Sequence, residues 1–231
     1  MTTPGAVYLA ASSHEPTLRA MASRIVADVA PARRPLRVAA TYAAAGDGMA
    51  DRVSHSIGHL FGGADVRRFT VAGEANAMAP EDAIAVLAEA DLVFVSGGDP
   101  VAGARRLVDA GADAWLREAR ARGTPFLGIS AGSMMLGAWW AEWPDHPPPN
   151  APHDGGVLVP CTRVVPDLVV DCHAEADDWN EIRLVRAILR DHPPPLSGPR
   201  LRFFGLPTQG GIVVSPAGAA EDIGVTCVRL S

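Results

Sequence analysis

Short apolar runs alternating with longer stretches of helical periodicity constrain this chain more than any other feature. Val7-Tyr8-Leu9-Ala10-Ala11, Leu36 to Ala40, Val66 to Val71, Leu92-Val93-Phe94-Val95 and Pro125-Phe126-Leu127-Gly128-Ile129 read as strands. Between them, Thr17 to Val29, Gly48 to Leu60, Pro80 to Ala90 and Val101 to Arg122 read as helices, the first with Leu18, Met21, Ile25 and Val29 on one face. Strands separated by helices pair in parallel, because the crossover carries the chain back to the same end of the sheet. The expected fold is therefore α/β, a mostly parallel central sheet with helices on both faces. The 231 residues suit one such domain spanning 1–231.

The regularity breaks after Trp143. Met134 to Trp139 reads as an apolar helix, and Pro144-Asp145-His146-Pro147-Pro148-Pro149-Asn150 as a stiff loop, since proline cannot donate to a helix or to a central strand. Beyond it come an apolar run over Asp167 to Cys172 and a helix over Asp177 to Arg190. Strand-like pieces follow at Leu201 to Phe204, Gly211 to Val214 and Val225 to Leu230.

Composition excludes several functions. The formal net charge is −6 and the arginines are scattered, so no basic surface faces nucleic acid. The chain has no lysine, which removes Schiff-base, pyridoxal-phosphate and P-loop ATPase chemistry, each of which needs that amine. Cys161, Cys172 and Cys227 are odd in number without C-x-x-C spacing and read as free thiols of a reducing cytoplasm. No apolar run approaches the ~20 residues needed to span a bilayer, so no membrane partner is expected.

Gly128-Ile129-Ser130-Ala131-Gly132 matches the G-x-S-x-G turn that exposes a nucleophilic serine between a strand and a helix, and it stands in that context here. The turn requires small residues because it strains the serine backbone and brings neighbouring chain close. A serine hydroxyl needs a base to take its proton and amide N–H groups to stabilise the oxyanion. Ala131 supplies the nearest amide; Gly98, in the turn Ser96-Gly97-Gly98-Asp99 that ends a neighbouring strand, can supply a second.

Of the seven histidines, His173 directly follows an apolar strand, which places it at a carboxyl end of the sheet, where open α/β sheets build their sites. A carboxylate should orient its imidazole, and the order serine, acid, histidine is one of the known triad orders. Glu142, Asp145, Asp154, Asp167 and Asp171 lie in that interval, with Asp145 in the first loop after the nucleophile and Glu142 close behind. His55 and His59 have i, i+4 spacing but no third ligand pattern, so no metal is expected.

Three ordered stretches then carry a resemblance: Phe94-Val95-Ser96-Gly97-Gly98-Asp99, Phe126-Leu127-Gly128-Ile129-Ser130-Ala131-Gly132-Ser133 and Leu168-Val169-Val170-Asp171-Cys172-His173. With these the chain resembles the dipeptidase E and cyanophycinase family of serine peptidases, over most of its length. The resemblance implies a flavodoxin-like three-layer sandwich similar to class I glutamine amidotransferases. It implies Ser130 as nucleophile, His173 as base, Asp145 as triad acid with Glu142 as alternative, and an oxyanion hole from Gly98 and Ala131. It also implies small substrates of the aspartyl dipeptide or isoaspartyl class and no cofactor or metal.

The chain departs from that pattern at Ala174, Glu175, Asp177 and Asp178, where relatives carry an aromatic residue and, in the cyanophycinase branch, arginines. Pro100 replaces a polar residue common there, and Gly205 to Gln209 stands where relatives often carry an acid. Two rivals share these features: an α/β-hydrolase-type esterase, which has the same elbow and chain order, and a non-catalytic ligand-binding relative of the fold. The assembly is left open between a monomer and a homodimer.

Overall fold

A computed structural model describes residues 3–29, 35–143, 155–193 and 200–230. Five strands follow the β-α alternation: β1 (Val7–Ala10), β2 (Arg37–Thr41), β3 (Asp65–Arg68), β4 (Leu92–Val95) and β5 (Phe126–Ile129). They pair in parallel in the order β1-β5-β4-β2-β3. Two later strands, β10 (Gly210–Val214) and β11 (Ala220–Gly224), extend the β1 edge antiparallel and complete a seven-stranded sheet.

Alternation along each strand sends side chains to opposite faces, and each face is covered. Val7, Leu9, Val93, Val95 and Phe126 pack against α3 (Pro80–Glu89), α4 (Pro100–Asp109) and α5 (Ala112–Ala121), which contribute Leu87, Leu107 and Leu116. Tyr8, Val38, Phe94 and Leu127 face α1 (Glu15–Asp28) and α2 (Ala50–Leu60), which bring Met21, Ile25 and Ile57. Removing one such side chain from water contributes about 1.5–3 kcal/mol. The central sheet with helices on both faces is the architecture that the periodicity implies.

Three sequence expectations are corrected. The helix expected over Val101 to Arg122 is two helices, α4 and α5, because Gly111 adopts φ 73° and breaks the hydrogen-bond ladder. The helix expected over Met134 to Trp139 is short, α6 (Ala131–Met135), and Trp139 begins a strand instead. That strand, β6 (Trp139–Glu142), pairs antiparallel with β7 (Val157–Pro160) in a separate two-stranded sheet.

The third correction concerns β8 (Leu168–Cys172), which does not join the main sheet. It pairs in parallel with β9 (Arg202–Leu206), and β12 (Val228–Leu230) completes a small three-stranded sheet. The helix α7 (Asn180–Asp191) packs on it, starting later than the expected Asp177. The small sheet is fixed to the main fold through α6, which packs on β8, with the Ala138 amide donating to the Leu168 carbonyl at 2.6 Å.

Candidate active site

The carboxyl ends of β1, β4 and β5 converge on Ser130. Its backbone holds φ 53° and ψ −123°, a strained conformation for a residue with a side chain. Local bonds fix it there: the Ser130 amide donates to the Ala10 carbonyl at 2.9 Å, and the Ser130 carbonyl accepts from the Ser133 amide at 2.8 Å. Ser133 Oγ ties the turn to the same Ala10 carbonyl at 2.8 Å. The glycine at 132 is required by proximity, since a Cβ there would lie 2.0 Å from the Val95 carbonyl oxygen.

His173 follows β8, with φ 47° and its amide bonded to the Leu206 carbonyl at 2.9 Å. This bend brings Nε2 to 2.9 Å from Ser130 Oγ, within reach for a proton to pass from hydroxyl to imidazole. Ser130 is half-buried and His173 exposed, so the pair sits at the mouth of a pocket rather than beneath it.

The turn after β4 backs onto the same place. A Cβ on Gly97 would lie 3.6 Å from Ser130 Oγ, and Gly98 has φ 141° with the Ala44 carbonyl 2.2 Å from where its Cβ would be. Only glycine fits there without displacing backbone. Asp99 anchors the turn: its amide donates to the Ala44 carbonyl, and Oδ1 accepts from the amides of Val101 and Ala102 at 2.9 and 3.0 Å. Pro100 fits as the first residue of the capped helix, where its missing N–H costs nothing. Among the described residues no hydrogen bond takes up the amide of Gly98 or of Ala131.

The candidate acids divide. Asp145 lies outside the described residues. Glu142, at the end of β6, accepts from both Arg105 guanidinium nitrogens at 2.9 and 2.5 Å, and that pairing holds its carboxyl below the usual range. Glu175 lies two residues past His173 and was visible in the sequence only as an acid where relatives have bases. It accepts from the amide and hydroxyl of Thr208. Burial pushes its carboxyl up, but these bonds and the nearby His173 outweigh it and leave the group below the usual range. Nothing in the sequence pointed to Thr208 as its partner across 33 positions.

Asp171, two residues before His173, is buried. Its Oδ1 accepts from the Cys172 amide at 2.8 Å, while Oδ2 has no hydrogen-bond partner among the described residues. Burial, helped by the Glu181 charge, raises its pKa from 3.8 to about 7. The folded state then holds this proton more tightly than the unfolded one. Stability from this group is full below pH 3.8 and falls until about pH 7. Asp171→Asn should gain melting temperature relative to the parent between pH 5 and pH 8. A difference that stays constant across that range in thermal melts would show that Asp171 titrates normally.

His55 and His59 on α2 meet at 3.0 Å between their Nε2 atoms, and among the described residues no three ligand-type side chains gather as a metal site would need. Cys161, Cys172 and Cys227 are free and buried, and burial raises each thiol above its ordinary value. No helix among the described residues is long and apolar enough to cross a membrane.

A family model, peptidase family S51, matches residues 48–158, a stretch that includes Gly98, Ser130 and Ala131 and ends before His173. No curated protein matches the sequence. Among solved structures, a peptidase from an acI-B1 Actinobacterium aligns with TM-score 0.69 at 18% identity, over 99% of this chain and 94% of that one. A protein assigned as a Peptidase E, from Listeria monocytogenes EGD-e, aligns with TM-score 0.61 at 13% identity, over 96% of this chain and 100% of that one. At these identities the two structures establish a shared fold.

Proposed function

We propose that this chain, which matches the peptidase family S51 model over residues 48–158 and shares the fold of two peptidases, is a serine-type peptidase that hydrolyses an amide of a small peptide through Ser130 and His173. The observation that carries the reading is the 2.9 Å approach of His173 Nε2 to Ser130 Oγ on a strained turn. In the proposed reaction Ser130 Oγ attacks the carbonyl carbon while His173 Nε2 takes its proton. The amides of Gly98 and Ala131 receive the oxyanion. His173 returns the proton to the leaving amine as the C–N bond breaks and an acyl-enzyme remains. Water, deprotonated by the same imidazole, then cleaves the ester and regenerates Ser130.

Asp145 is proposed as the residue that orients His173, with Glu142 as the alternative. The Arg105 pair supports Asp145, because Glu142 would have to surrender two charge-assisted bonds to serve the imidazole. Labelling with a fluorophosphonate probe tests the whole arrangement. Wild-type protein should be labelled at Ser130, His173→Ala should not be, and Asp145→Asn should slow labelling by about 10²-fold or more while Glu142→Gln leaves it near the parent rate. An esterase shares this labelling, and preference for simple aryl esters over peptides in a turnover assay would favour it. Absence of labelling would favour the non-catalytic reading.

A further inference from the structure

The pocket that opens on Ser130 has a volume of about 730 Å³, within the size range of small-molecule sites. One wall carries the reacting groups. The other is the inner face of α2 and the residue before it, where Met49, Val53, Ile57 and Leu60 recur at helical spacing, with Leu18 and Ile129 alongside. Met49 is 44% exposed there, an openness few large apolar side chains share among the described residues. An apolar surface facing a reactive serine is a recognition surface.

Charge on this pocket is sparse. Besides His173, its charged lining consists of Glu15 and Arg52. Glu15 is occupied by Arg19 at 2.6 Å. Arg52 is exposed, touches Met49 Sδ at 3.5 Å and pairs with no carboxylate among the described residues. Away from Arg52, a substrate carboxylate pushed against the Val53, Ile57 and Leu60 part of the α2 wall would lose its hydration with no cation beside it to replace it. An apolar side chain would instead remove Met49 and Val53 from water.

Building on the reading of Ser130 as nucleophile, we propose that this pocket takes an apolar side chain flanking the scissile amide, of leucine or methionine size, and that Arg52 meets the free carboxylate of the peptide. The chain then prefers apolar dipeptides over the aspartyl class that the resemblance implies.

Calorimetric titration of the Ser130→Ala protein tests binding apart from turnover, with Leu-Gly, Gly-Leu, Asp-Gly and Gly-Asp as ligands. The better leucyl peptide should bind about tenfold or more tightly than the better aspartyl one. Amidating its C-terminus should weaken it about fivefold, an effect that disappears when Arg52→Ala is added. Val53→Asp in the same background should cost the leucyl peptide about tenfold. Aspartyl peptides bound as tightly as leucyl ones, or no binding by any of the four, would overturn the proposal. Leucyl binding without turnover by the wild-type protein would count against Ser130 as nucleophile and leave the pocket assignment standing.

Discussion

Ser130→Ala should lower kcat/KM by about 10⁴–10⁶-fold and leave the melting temperature within roughly 2 °C of the parent. The two halves of this expectation rest on different observations. On the proposed mechanism catalysis fails because the attacking atom is gone. The fold persists because the hydroxyl makes one contact, with an exposed imidazole that water can satisfy instead. Alanine at φ 53° also carries the same backbone strain as serine, so no new cost enters. Steady-state kinetics beside a thermal melt checks both. Activity within tenfold of wild type would place the chemistry elsewhere.

Gly132→Ala should do the opposite and break the scaffold. The added methyl group would sit 2.0 Å from the Val95 carbonyl oxygen and 2.8 Å from that of Ser96, both backbone atoms of the adjacent turn. Neither can swing aside as a side chain could, so β4 and the elbow must separate. Overpacking of this kind costs about 3 kcal/mol or more, which for a chain of this size is a fall of roughly 6–12 °C in Tm. A melting temperature within a degree or two of the parent would mean that the elbow is looser than its contacts indicate.

The elements that could be read from the sequence are those whose signal is local. β1, β4 and β5 are apolar runs flanked by turn residues, and the Gly-x-Ser-x-Gly turn between β5 and α6 needs no distant partner to be recognised. Gly111 was not legible as a helix break because the residues on either side keep helical periodicity across it, and one glycine can sit inside a helix at modest cost. Trp139 looked like the end of a helix because the strand partner of Trp139 to Glu142 begins at Val157, beyond a proline-rich stretch.

His173 shows how a correct neighbour can follow from an incomplete picture. Its position after an apolar strand suggested the edge of the main sheet, yet β8 pairs with β9 in the small one. The residue still reaches Ser130 because the backbone bends at φ 47° as it leaves the strand. Pairing between strands some thirty positions apart, and a left-handed turn at a residue that is not glycine, leave no pattern in the letters. The grip of Glu175 on Thr208 is hidden for the same reason.

The proposed nucleophile and proton acceptor thus belong to separate β-structures that meet at α6 and where β9 packs against β10. A slip of even an ångström between those two bodies would part the hydroxyl from the imidazole while every strand of the larger one stayed paired. Gentle heating or low denaturant should therefore silence the enzyme at a point where its circular dichroism is still that of the intact molecule.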